Sequence, residues 1–463
     1  MAATPWRRTG TTPAVRVVHL GLGAFHKAHQ AWYTDHANAA DARDPWGIAS
    51  FTGRRPDAAQ ALAPQDGLFT LLTRAADGDT AETVASVVEV HDGADVAAWR
   101  SHVADPRVAV VTLTVTERGY RRAADGGLDL TDPEVAADVA LLRDDTAGPT
   151  AASTAPGRLV DGLRARRDAG SGTVAVVSCD NLPDNGAVTR DVVRQLAAEV
   201  EPGLVAWIDQ NVSFVSTMVD RITPATTDAD RAAVRRLTGR DDAAPVVTEP
   251  FAEWVLEDAF PAGRPAWDAA GARVVADVRP YEQRKLWLLN AGHSLLAYAG
   301  LAQGHATVAD AFADPVCRAL LEQLWADARP VVPLPDAEVD DALDALRTRF
   351  ANPRIEHRLM QIGTDGSAKL PVRVLAVARA RRAAGLPAAA SHAAVLAAWV
   401  HHLAVDGAAT DPAAAPLAGA LRAATTPAER AALLLDALAP DLRDDADLVA
   451  STERALAGSP LSV

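Results

Sequence analysis

The segment Tyr281-Glu282-Gln283-Arg284-Lys285-Leu286-Trp287-Leu288-Leu289-Asn290-Ala291-Gly292-His293 brings together three residue types that can act on one oxygen atom. On an α-helix turning about 100° per residue, Asn290 lies about 140° round from Lys285 and His293 about 80° round. The three fan over one side of the helix, with Leu286, Trp287 and Leu289 beside them to keep water out. The chemistry this suits is proton transfer at a secondary alcohol as hydride leaves its carbon. A lysine with a pKa of about 10.4 is a poor base at neutral pH, and burial or a neighbouring cation such as Arg284 brings it toward about 7–8. An Asn amide donates to the developing alkoxide, and a His holds a substrate hydroxyl or orients the lysine. The plain counterpart is an amphipathic helix with a surface Lys, a capping Asn and a packed His.

A second candidate lies near the N-terminus, where the run Val15–Leu20 leads directly into Gly21-Leu22-Gly23-Ala24-Phe25-His26. Glycines two apart after a strand permit a tight turn and let backbone amides approach a pyrophosphate at the start of a helix. His26 stands where a third glycine would complete the dinucleotide fingerprint. The next strand, Gly47–Phe51, ends in Thr52-Gly53-Arg54-Arg55-Pro56-Asp57. There Asp57 suits a free ribose hydroxyl and the arginines suit a 2′-phosphate, so NAD and NADP both stay open; otherwise the arginines are solvated loop residues.

The elements that must position these groups alternate. Val15–Leu20, Gly47–Phe51, Leu68–Thr73, Val84–Val90, Val108–Val115 and Val174–Ser178 read as strands, several of them apolar throughout, as in sheets covered on both faces. Helices fit between them, among them Asp95–His102, capped by Asp95, and Gly157–Asp168. The pattern predicts an α/β fold with a Rossmann-like doubly wound sheet. One further strand is expected at Ala272–Val278. Beyond about residue 280 the strand signals stop, and Lys285–Ala299, Asp341–Arg349, His392–Ala404 and Pro427–Leu438 read as helices, the last capped by Thr426. We therefore expect a dinucleotide-binding domain over 1–280 and an all-helical substrate domain over 281–463.

Composition excludes several classes. A formal charge of −15 argues against a nucleic-acid partner. Two cysteines, Cys179 and Cys317, are too few for a disulfide framework. Neither is expected in a His/Cys/Glu cluster with ligand spacing, so no metal is expected; His26 and His29 read as structural or cofactor-adjacent. No apolar run is long enough for a membrane span, and Met1–Thr12 lacks the apolar stretch of a secretory signal. A cytoplasmic protein with a small-molecule substrate is the expectation, with no feature that fixes an oligomeric state.

Five ordered motifs carry a resemblance. The Lys-x4-Asn-x2-His set from Lys285 to His293 resembles the signature of the mannitol dehydrogenase family of polyol-specific long-chain dehydrogenases. So do Val18–Gln30 with its His26, Thr114–Tyr120, Ser178–Pro183 and Met218–Ile222, covering about residues 15–375. The resemblance implies Lys285 as general acid/base, Asn181 and Asn290 polarising the carbonyl oxygen, and His293 and Asp220 binding substrate or supporting the lysine. It implies Glu282 as a proton relay, an ordinary exposed carboxylate being the alternative. It implies NAD, or NADP, held at Gly21, Gly23, Ala24, Phe25 and Thr116, with Arg54 and Asp57 at the ribose. In His357–Arg373, Lys369 matches a substrate-binding lysine, and Gln361 stands where mannitol 2-dehydrogenases carry an arginine. This stretch is more similar to the D-mannonate oxidoreductase branch, in which Arg358, Lys369 or Arg373 would meet a carboxylate. D-mannitol and D-arabinitol are the alternative substrates. A zinc-dependent dehydrogenase and a non-catalytic dinucleotide-binding redox sensor are the competing classes, separated by chelation and by turnover.

Overall fold

The computed structural model describes residues 6–144, 148, 150–405 and 410–458. Two compact units divide it, Met1–Arg279 and Pro280–Val463.

In the first unit the strands are β1 (Ala14–Leu20), β2 (Trp46–Phe51), β3 (Phe69–Ala75), β4 (Gly78–Val84), β5 (Val87–His91), β6 (Val110–Leu113), β7 (Val174–Ser178), β8 (Val212–Val215), β9 (Thr217–Asp220), β10 (Val246–Thr248), β11 (Glu253–Glu257) and β12 (Arg273–Val275). Six of them form one parallel sheet in the order β5-β2-β1-β6-β7-β8, which is the doubly wound topology the alternating pattern predicts. Strands β2, β6 and β7 are buried on both faces, and the two-residue period divides the sheet's apolar residues cleanly. Val17, Val110 and Ala175 enter one apolar core, whereas Val18, Val111 and Val176 enter the other.

Three expectations need correction. Val84–Val90 is not one strand: it breaks at Ala85-Ser86, where Asp35 accepts from the Ala85 amide at 2.7 Å and the Ser86 hydroxyl donates to the Ala31 carbonyl at 2.7 Å. The halves serve different sheets. Leu68–Thr73, observed as β3, lies outside the parallel sheet and forms an antiparallel hairpin with β4, flanked by β10. Ala272–Val278 contracts to β12, three residues in a small sheet with β11 and β9.

The second unit is helical, with only an isolated bridge, Thr307 to Arg358, among its described residues. Its centre is the helix Ala291–Ala302, almost wholly buried among Leu321, Trp325, Phe350 and Trp399. The helix Pro427–Leu438 starts as its sequence implies, with a reciprocal Thr426–Glu429 capping box and Pro427 in its first turn. No helix among the described residues is long and apolar enough to cross a membrane.

Candidate active site

In the first unit a cavity of about 790 Å³ opens at the carboxyl ends of β1, β2 and β6, lined by Gly21, Gly53 and Thr114 among others. This is where the strand order reverses, the usual ligand site of an open α/β sheet. Gly21 has a φ of +111°, and a side chain there would run into the Thr114 carbonyl. The Phe51 carbonyl accepts from the amides of both Gly21 and Leu22 at 2.9 Å, and the Thr114 hydroxyl donates to the Gly21 carbonyl at 2.8 Å. The glycine is therefore required by close backbone approach as well as by its dihedral. Gly23 precedes the helical run that begins with Ala24 and Phe25.

Thr116 lines the same cavity in a conformation that β-branched residues rarely adopt, φ +68° and ψ 162°. Asp180 holds it there. One carboxylate oxygen accepts from the Thr116 amide at 2.8 Å; the other accepts from the Val115 amide at 3.0 Å and the Tyr120 hydroxyl at 2.7 Å. Burial raises the Asp180 carboxyl above its ordinary value, while those three donors pull it back. Strained backbone fixed by a buried carboxylate at a cavity wall is characteristic of functional sites. Nothing in the sequence marked Asp180 for this task.

Arg54, Arg55 and Asp57 all line the cavity. Arg54 donates to Glu134 at 3.2 Å, and Arg55 lies 3.4 Å from Asp57. Glu134 also receives Arg121. The arginines therefore reach the cavity already paired with carboxylates.

His26 does not open the helix to the ligand as a third glycine would. It is fully buried and stacked on His19 of β1, with ring centroids 3.3 Å apart, and shares a hydrogen bond with Ser50 at 3.0 Å. A π-helical turn, Lys27–Ala31, follows directly. His29 is likewise structural, bound to the Glu253 carbonyl at 3.0 Å.

In the second unit the expected continuous α-helix from Lys285 is replaced, over Lys285–Asn290, by a π-helical turn between Arg279–Arg284 and Ala291–Ala302. Because a π turn bonds five residues back instead of four, residue i+5 returns above residue i. Asn290 is thereby carried toward the Lys285 side, and the angle derived from α-helical geometry does not apply. Such turns are frequent at functional sites. Lys285 is half-buried, Asn290 is 8% exposed and His293 is 7% exposed. Asn290 Nδ2 and His293 Nε2 are buried with no hydrogen-bond partner among the described residues. Glu282 is 9% exposed, which corrects the alternative of an ordinary surface carboxylate.

The surroundings of His293 are cationic. Burial holds its imidazole well below the usual value, and His357, Arg349, Arg373 and Lys285 all act in the same direction. The His357 ring stands edge-on to it at 4.8 Å and Phe350 packs at 4.8 Å. Arg373 donates from Nη1 to the Asn290 carbonyl at 3.3 Å and to the Ser294 hydroxyl at 3.1 Å. His357 opens the His357–Arg373 stretch but was given no role there, and Arg349 lies in the last turn of a helix, Asp336–Phe350, that is longer than its periodicity indicated.

Other expected residues are placed differently. Lys369 donates to the Thr364 carbonyl at 2.6 Å and the Ile362 carbonyl at 3.3 Å, fixing the turn that follows Leu359–Ile362. Arg358 is exposed and lies 3.4 Å from Glu356, and Gln361 is exposed. In the first unit Asn181 is exposed just past the carboxyl end of β7, and Asp220 closes β9. Arg221, next to Asp220 in sequence, donates to the carbonyls of Ala28 and Glu249 and lies over the Trp32 ring.

One expectation about cysteine is corrected. Cys317 does fall in a potential ligand cluster, with ligand atoms of His305, Asp314 and Cys317 all within 4.8 Å of one another. The loop between helices makes it, a proximity that sequence spacing does not show. Asp314 there caps the helix Pro315–Ala328 and lies 3.2 Å from His305.

Residues 15–269 match the mannitol dehydrogenase Rossmann domain, and residues 277–458 match the mannitol dehydrogenase C-terminal domain. The chain belongs to the mannitol dehydrogenase family. It is 40% identical to the D-mannonate oxidoreductase of Escherichia coli (strain K12) over 370 residues, 78% of this chain and 74% of that protein. It is 39% identical to the mannitol 2-dehydrogenase of Cereibacter sphaeroides over 383 residues, 82% of this chain and 78% of the relative. The ternary complex of Pseudomonas fluorescens mannitol 2-dehydrogenase with NAD and D-mannitol has a TM-score of 0.78 to this chain and 33% identity, covering 97% of this chain and 93% of that one. Mannonate- and mannitol-named members of the mannitol dehydrogenase family are thus equally similar, and similarity alone does not choose between their substrates.

Proposed function

We propose that this member of the mannitol dehydrogenase family is a metal-independent, NAD-dependent dehydrogenase that interconverts D-mannonate and D-fructuronate. The observation that carries the substrate class is the cationic surround of the π turn: Lys285, Arg349 and Arg373 all bear on His293. A uronate carboxylate is drawn to such a cluster of positive charge, and guanidinium binds carboxylate with particular strength and geometry. D-Mannitol and D-arabinitol bring no charge to it.

The cradle at Gly21, the cavity volume and the anchored Thr116 fit a dinucleotide. Gly23, Ala24 and Phe25 continue the cradle into the helix. Bound NAD supplies the hydride acceptor. Arg54 and Arg55 favour NAD over NADP because Glu134 and Asp57 already occupy them, and those carboxylates repel a 2′-phosphate.

Lys285 takes the C2 hydroxyl proton in oxidation and returns it in reduction. Asn290 Nδ2 donates to the oxygen as its charge develops, and His293 Nε2 engages a neighbouring hydroxyl. Glu282, one turn before Lys285 and buried, receives the proton from it. In the first unit, Asn181 and Asp220 keep the roles that the family resemblance implies. Arg373 and Arg349 face the carboxylate, while Lys369 holds the Thr364 turn; Arg358 and Gln361 are exposed.

The test is the initial rate of NADH and NADPH oxidation with D-fructuronate and D-fructose side by side. Preference for fructuronate with NADH is expected. Preference for fructose returns the chain to mannitol chemistry, and turnover of neither makes the redox-sensor reading the stronger one.

A further inference from the structure

Outside the residues lining the cavity, three side chains of the first unit converge on a single point. Glu89 and His91 lie two apart on β5, the edge strand of the parallel sheet, and therefore on one face. His102 comes from the last turn of the helix Val96–Ala104. Glu89 Oε2 stands 3.2 Å from His91 Nε2 and 3.1 Å from His102 Nε2, and the two Nε2 atoms are 3.3 Å apart.

We propose that Glu89, His91 and His102 form a binding site for a transition-metal cation of the zinc class, with its fourth coordination position open to solvent. Zinc held at about 2.0–2.2 Å by nitrogen and oxygen in a tetrahedron sets its ligand atoms about 3.3 Å apart. The three distances here are those of one face of that tetrahedron. Protons satisfy at most two edges of the triangle, because two facing Nε2 atoms cannot both donate to each other; a cation satisfies all three at once. Two imidazoles and one carboxylate also make a donor set that suits zinc better than calcium or magnesium, which prefer oxygen alone.

The rings are held in place. Phe51 stacks on His91 at 4.7 Å and meets His102 edge-on at 5.9 Å, and Phe51 itself is fully buried. Both ligand-bearing elements are regular secondary structure, which fixes a coordination geometry better than loops do. The His91 carbonyl accepts from the Thr52 amide at 3.1 Å, immediately before the Gly53–Arg55 wall of the cavity. An ion here ties the sheet edge to the helix beside it. It takes no part in proton or hydride transfer, so the proposal stands apart from the metal-independent chemistry assigned to Lys285.

The experiment is a Zn²⁺ titration of the chelator-stripped full chain against a chromophoric chelator, with His102→Gln, Glu89→Gln and Cys317→Ser run alongside. Wild type is expected to take up an equivalent that His102→Gln binds more than about tenfold more weakly, since loss of even an outer-shell partner weakens metal sites by about 10–100-fold. Glu89→Gln, at an exposed position where folding is not at stake, is expected to weaken the same equivalent, and Cys317→Ser to leave it intact. Equal uptake by wild type, His102→Gln and Glu89→Gln overturns the site, as does absence of micromolar binding by wild type. Loss of the equivalent only in Cys317→Ser moves it to the His305 cluster and overturns the proposal equally.

Discussion

Arg373 donates a hydrogen bond to the main-chain carbonyl of Asn290 at 3.3 Å, which ties a guanidinium to the last residue of the π turn that Lys285 begins. The same Nη1 reaches Ser294 one turn on, and the Arg373 charge bears on His293 between them in sequence. A cation fixed in this way has its direction set before any ligand arrives.

Arg373→Gln therefore separates the two substrate classes. A hydrogen bond to a charged group is worth about 1.5–3 kcal/mol, or roughly 10–100-fold in affinity. We expect KM for fructuronate to rise by about that factor, with a smaller change for fructose. Equal losses on both substrates would assign Arg373 to holding the turn alone.

The proposed preference for NAD is tested at Glu134. Glu134→Gln removes the charge that occupies Arg54 and Arg121. NADPH use should then improve relative to NADH by roughly tenfold, the worth of about one charge-assisted bond. Steady-state kinetics with both cofactors measure this, and an unchanged ratio would contradict the pairing argument.

Asp180 is expected to matter beyond its distance from the chemistry. In Asp180→Asn an amide NH2 replaces one accepting oxygen and faces a donor among Val115, Thr116 and Tyr120. The cost is about 1–3 kcal/mol of stability, and weaker NAD binding accompanies it as Thr116 relaxes. Denaturant melts and fluorescence titration read the two effects separately.

These residues also show what was legible beforehand. The parallel sheet, Gly21 and the Thr426–Pro427 helix start were readable because each depends on local pattern: apolar runs, a glycine after a strand, a cap. The break at Ala85-Ser86 was not, since Asp35 and Ala31, which impose it, lie about fifty residues away. Lys285, Asn290 and His293 were recognisable by type and spacing, but α-helical angles misplaced Asn290, because nothing local distinguishes a π turn from the helix around it. Arg349 and Asp180 escaped notice for a related reason: an arginine at a helix end and an aspartate after a strand acquire meaning only from what folding sets beside them.

Acid should destabilise the chain through its buried histidines. Burial pushes His19 down to about 3 and His392 down to about 4. As pH falls below the unfolded value of about 6.5, the unfolded chain takes up protons that the folded chain refuses. Stability present above about 6.5 is thus lost progressively toward pH 4, by about 1.4 kcal/mol per pH unit for each such histidine. Neither ring nitrogen of His392 has a hydrogen-bond partner among the described residues. His392→Leu should flatten the slope by one proton and raise stability at pH 5, as urea melts at pH 7 and pH 5 would show; an unchanged slope would contradict it.

The proposed role of Lys285 is to move the proton, and that of the Gly21 cradle is to hold NAD. The direct measurement is kcat of Lys285→Ala on fructuronate together with its NADH dissociation constant. A fall in kcat of about 10²–10⁴-fold is expected, the usual worth of a positioned acid/base, with cofactor affinity unchanged. Near-normal turnover by Lys285→Ala would contradict it.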